Sequence, residues 1–180
     1  HLDVMKKAIN NLNIDCEAIP VRYEDEVAQC DGIVISGGES TVIGKLIKER
    51  GIDKVIKEKK IPIFGTCAGM VLMSKKTDYN QPIFDIIDME VERNAFGSQK
   101  DSFEEEIQIL GSPFQGVFIR APAVKKTCQK DENPKIEILS KLNEVIIALK
   151  QGKNIALSFH PELTDDTRLH EYYLKIALDL

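Results

Sequence analysis

Cys67 sits in "GTCAGM", residues 65–70, directly after the apolar run Ile61, Pro62, Ile63, Phe64. The form G-x-C-x-G, where a buried strand turns into a helix, is the cysteine version of a nucleophile elbow. Small flanking residues keep such a turn tight and leave the thiol uncrowded. At a helix N-terminus the free N–H groups and the helix dipole favour a thiolate. The N–H of Ala68 would point where an oxyanion develops. A buried cysteine in a glycine-rich turn is the plain alternative, and a base decides between the two.

"SFHPEL" supplies that base. His160 follows the apolar run at residues 155–159, and catalytic groups of α/β sheets gather beyond the carboxyl ends of strands. Glu162 lies two residues on, so in an extended segment it leans to the same side as His160. It can then hold the imidazole in one tautomer, as the third member of a catalytic triad does. Two other histidines fit less well. His170 falls inside the last predicted helix, on a surface face, and His1 begins the chain. The third segment is "SGGES", residues 36–40. Its glycines let backbone approach a ligand closely. A helix-starting turn and a phosphate nest are the rival readings, but the spacing of a phosphate-binding loop and its lysine are absent. The preferred reading is a second backbone donor for an oxyanion, from Gly38.

These segments need elements to carry them. Residues 2–12 have helical apolar spacing, and residues 17–21 read as a short strand. Residues 32–35 and 61–64 are apolar runs of the buried parallel kind. Helices are expected over 41–50, 53–60 and 68–76. Strands follow at 89–91, 103–110, 117–119, 136–139, 145–149 and 155–159, some in a mixed or antiparallel region. The last helix is expected over 166–180, capped by Thr164 or Asp165. The pattern predicts an α/β fold: a three-layer sandwich with a mostly parallel central sheet, helices on both faces and a small antiparallel region. With no repeat or linker, residues 1–180 read as a single domain.

Composition narrows the function. The chain has 43% hydrophobic and 29% charged residues and a formal net charge of −5. Basic residues are scattered, so no nucleic-acid stripe is indicated. No apolar run reaches the roughly 20 residues of a membrane helix. Cys16, Cys30, Cys67 and Cys128 form no C-x-x-C pair. Their spacing indicates neither a zinc site nor a disulfide framework, but reduced thiols of a cytoplasmic protein.

"GTCAGM", "SGGEST", "VERNAFGSQ", "GVFIRAP" and "SFHPELTDD" together resemble the glutaminase subunits of pyridoxal 5′-phosphate synthases, in the class I, triad-type glutamine amidotransferase family. The resemblance runs from Leu2 to the last helix. It implies hydrolysis of L-glutamine to L-glutamate and ammonia, without a cofactor or metal. The ammonia would pass to a synthase partner within a large hetero-oligomer that makes vitamin B6, and free subunit would be slow. Carried over, Cys67 matches the nucleophile, His160 the base and Glu162 the orienting acid. Gly38, Glu39 and Ser40 match the glutamine-binding loop, and Arg93, Ile119 and Arg120 the other substrate contacts. Gly38 and Ala68 would form the oxyanion hole. The family opens with a buried strand and loop, and here the chain begins at the following helix, so the first strand is expected to be missing. Ser98 stands where the family usually has arginine. A glutaminase of another pathway and a non-catalytic binding subunit remain the alternatives.

Overall fold

The computed structural model describes residues 1–97 and 101–180. Ser98, where the family resemblance breaks, lies outside them. Along the chain run α1 (Leu2–Leu12), α2 (Glu24–Val27), β1 (Ile33–Ile35), α3 (Ser40–Glu49), α4 (Ile52–Lys59), β2 (Ile63–Thr66) and α5 (Ala68–Met73). Then come β3 (Ser74–Thr77), β4 (Ile87–Glu92), β5 (Ser102–Ile109), β6 (Ser112–Ile119) and β7 (Ala123–Thr127). The chain closes with β8 (Ile136–Leu142), β9 (Val145–Gln151), β10 (Asn154–Leu157), a 3-10 turn at Pro161–Leu163, and α6 (Arg168–Ala177).

The main sheet has the order β1-β2-β10-β9-β7-β4-β3, with β8 paired to β9, while β5 and β6 form a separate antiparallel ribbon. Pairing is parallel through β1, β2 and β10 and again between β3 and β4; from β10 through β9 and β7 to β4 it is antiparallel. Strand alternation sends side chains to two cores. Phe64, Ile155 and Leu157 face one that α1, α6 and the β5–β6 ribbon cover. Ile63 and Ala156 face the other, closed by α4 and α5. The α/β class and the helices on both faces are as the sequence predicts. Tyr173 ties α6 to the sheet: its buried hydroxyl lies 3.0 Å from the Ile33 carbonyl and 2.8 Å from that of Pro62.

For function, the decisive feature is the parallel trio. Ile35 is in register with Gly65, and Leu157 with Thr66. The carboxyl ends of β1, β2 and β10 therefore lie side by side, and each is followed by one of the three motifs.

Several local expectations give way. Residues 17–21 are not a strand. Pro20 has no N–H to donate, and Ile19 is exposed. The helix expected over 68–76 stops at Met73, and Ser74–Thr77 becomes an edge strand, with exposed Lys75 and Lys76 blunting the edge. β7 was not expected, because "AVKKT" shows only two apolar residues. α6 starts at Arg168, after the 3-10 turn, with Thr167 rather than Thr164 or Asp165 at its N-cap. Thr164 instead donates its hydroxyl to the Pro161 carbonyl at 3.1 Å.

Candidate active site

β2 ends at Thr66, and Cys67 turns with φ 51° and ψ −104° before α5 begins at Ala68. Positive φ in a residue with a Cβ costs on the order of 1–3 kcal/mol. The neighbouring strand offsets it: Cys67 N–H donates to the Leu157 carbonyl at 2.8 Å. The thiol stands 3.8 Å from the Ile119 carbonyl.

His160 lies just beyond β10, buried, with its own N–H donated to the Val117 carbonyl at 2.8 Å. Its Nδ1 is 2.9 Å from Glu162 Oε1. An ionised carboxylate only accepts, so Nδ1 carries a proton and Nε2 is the nitrogen left for chemistry. Glu162 is presented by the 3-10 turn, whose leading proline stiffens it. Hydrogen bonding to the Cys67 side chain, then to Glu162, pushes His160 up to about 9, against a burial effect that pulls it down. The structure thus brings the Cys67, His160 and Glu162 side chains together.

Gly37 explains how the ring is seated. A Cβ there would overlap His160 Cε1 and stand 3.2 Å from Nδ1 and 3.4 Å from Nε2. The imidazole rests on bare backbone. Gly38 adopts φ 136°, a region that side chains rarely tolerate.

Beside Cys67 opens a cavity of about 390 Å³, within the size range of small-molecule sites. Gly38, Glu39, Ser40, Arg93, Ile119 and Arg120 all line it, together with Cys67 and Ala68. Glu39 also accepts from Thr41 N–H at 3.2 Å, which caps α3. Arg120 has φ 40° and donates its N–H to the Asp101 carbonyl at 2.6 Å.

The structure adds residues that the sequence reading missed. Val71, Asn94 and Pro122 also line the cavity. Gln81 Oε1 accepts from both Ser40 Oγ and Arg93 Nη1, each at 3.0 Å, and so couples two cavity residues. The Arg93 guanidinium lies 4.2 Å from the centre of the Tyr79 ring, and its buried Nε has no hydrogen-bond partner among the described residues. No local pattern in "TDYNQPIF" singles out Tyr79 or Gln81. Two histidine readings need correction. His170 is fully buried rather than on a surface face, because that side of α6 packs against Phe64 and His1. His1, two residues before Asp3 in sequence, lies instead 3.1 Å from Glu162 Oε2 in space.

A model of the SNO glutamine amidotransferase family matches residues 1–178. A pyridoxal 5′-phosphate synthase subunit PdxT of Methanobrevibacter smithii is 63% identical, covering 99% of this chain and 91% of the relative. A PdxT of Methanothermobacter thermautotrophicus is 52% identical over the same shares. A crystal structure described as a glutamine amidotransferase superposes with a TM-score of 0.84 at 40% identity, covering 97% of this chain and 93% of that one.

Proposed function

The chain belongs to the SNO glutamine amidotransferase family, and from that premise we propose that it is the glutaminase subunit of a pyridoxal 5′-phosphate synthase, hydrolysing L-glutamine through Cys67, His160 and Glu162. The observation that carries this is the cluster of three groups at the ends of β2 and β10, beside a cavity that Cys67 and Arg93 both line.

The reaction follows from that cluster. The Cys67 thiolate attacks the side-chain amide carbon of glutamine. The oxyanion is received by the N–H groups of Gly38 and Ala68, both at the cavity. His160, held protonated by its two partners, gives a proton to the amide nitrogen. The C–N bond breaks, ammonia leaves, and a glutamyl thioester remains. The neutral ring then takes a proton from water, whose oxygen attacks the thioester. The C–S bond breaks, glutamate departs and the thiolate returns. Glu162 keeps the ring oriented throughout.

Arg93 binds the substrate carboxylate. Its guanidinium is fixed by Gln81 and Tyr79, and its buried Nε, 4.0 Å from Asp78 Oδ1, has no hydrogen-bond partner among the described residues. Such a donor suits a planar carboxylate. The ammonia is channelled to the synthase partner. No helix among the described residues is long and apolar enough to cross a membrane, and four unpaired cysteines suit the reducing cytoplasm.

Glutamate release by the complex with the synthase tests the reading. Cys67→Ala abolishes it while the melting curve stays cooperative. Unchanged turnover in that variant overturns the mechanism.

A further inference from the structure

Glu162 has two carboxylate oxygens, and the mechanism uses one. Oε1 holds His160. Oε2 is buried and receives no well-directed hydrogen bond among the described residues. An ionised oxygen left so in the interior is costly. One donor stands close: His1 Nε2, at 3.1 Å. The same nitrogen is 2.9 Å from Thr66 Oγ1, one residue before Cys67. On the ring's other side, His1 Nδ1 is 3.0 Å from His170 Nε2.

This contact pattern selects a tautomer. A lone pair on His1 Nε2 would face the Glu162 carboxylate, so that nitrogen carries the proton. His170 is fully buried, and its Nδ1 has no hydrogen-bond partner among the described residues. A buried N–H without an acceptor is the rarer orphan, so the His170 proton sits on Nε2 and is donated to His1 Nδ1. The donors then point one way, from His170 to His1 and on to Thr66 and Glu162.

We propose that His1 is a positioning residue for Glu162, sharing its Nε2–H between Thr66 and Oε2, with His170 fixing its tautomer. The carboxylate is gripped from both sides, so it cannot rotate away from His160. The role rests on the glutaminase reading above, because it acts through that triad. His1 does not line the glutamine cavity, so its loss acts on turnover and not on binding.

Glutamine hydrolysis in the synthase complex tests this with His1→Ala and His1→Gln, the parent and Cys67→Ala serving as references. His1→Ala lowers kcat on the order of tenfold, the loss expected for one hydrogen bond to a charged group, with KM within twofold. His1→Gln, whose amide returns an N–H near the Nε2 position, regains most of it. Parental kcat in His1→Ala overturns the proposal, and so does an equal loss in both variants. The imidazole nitrogen spectrum of the folded parent decides independently of any turnover. It shows Nε2–H tautomers for His1 and His170; an Nδ1–H tautomer at His1 overturns the proposal even where the glutaminase reading stands. If the parent fails to hydrolyse glutamine, the triad reading falls while that spectrum still judges the histidine contacts.

Discussion

Gly37→Ala adds one methyl group beneath the His160 ring. The backbone at Gly37 is not left-handed, so alanine suits it, and the obstacle is the imidazole. The added carbon would overlap Cε1 and crowd Nδ1 at 3.2 Å. Comfortable carbon contacts are about 3.5–4.0 Å, so the ring must retreat by on the order of 1 Å. His160 is pinned by Glu162 at 2.9 Å and by its own N–H to Val117 at 2.8 Å, so retreat pulls it off the line to Cys67. A 1 Å misplacement of a reacting group costs roughly 10²-fold in rate. Overpacking costs about 1–3 kcal/mol of stability, which a domain of about 5–15 kcal/mol survives. Glutamate release in the synthase complex should therefore show kcat down about 100-fold with KM little changed, since Gly37 does not line the cavity. Melting should drop by only a few degrees. A folded Gly37→Ala protein with kcat within twofold of the parent would refute the claim that bare backbone seats the ring.

His160 is raised from 6.5 to about 9 by Cys67 and Glu162. Its stabilising contribution is complete below pH 6.5 and is lost as pH climbs through about 9. The parent should lose more melting temperature across that window than Cys67→Ala, which lacks the leading partner, and kcat/KM should fall above pH about 9; an alkaline limb near neutrality would contradict this. Arg93→Lys should raise KM about tenfold or more with kcat within a few-fold, because an ammonium cannot form the planar paired contact; unchanged KM would remove Arg93 from carboxylate binding. Tyr173→Phe should destabilise the fold by about 1–2 kcal/mol, since it strips a buried donor from the Ile33 and Pro62 carbonyls. Equilibrium urea unfolding measures it, and an unchanged midpoint would show that the hydroxyl does not tie α6 to the sheet.

What the sequence disclosed follows from the range of the forces. "GTCAGM", "SGGES" and "SFHPEL" each couple an apolar strand to a local turn, so their neighbours announce them. Their convergence follows from parallel pairing of β1, β2 and β10, which apolar runs also signal. Strand limits in polar stretches were less visible. "SKKT" and "AVKKT" owe their pairing to β4 and β9 rather than to their own composition. Residues 17–21 carry strand-like apolar residues but find no ladder, with Pro20 among them. Least legible were His1, His170 and Gln81. His1 meets Glu162 across 160 intervening positions of chain, and nothing in local spacing encodes such a meeting. A histidine within an amphipathic helix reads as surface until the packing of α6 on α1 shows which face is buried.

The central claim is that His160 and Glu162 make Cys67 a glutamine-directed nucleophile. Incubation with a chloromethyl ketone analogue of glutamine, followed by peptide mass spectrometry, tests this most directly. Cys67 should be alkylated selectively over Cys16, Cys30 and Cys128, excess glutamine should protect it, and His160→Ala should slow the labelling sharply. Equal labelling of all four thiols, or a rate indifferent to His160, would contradict the account.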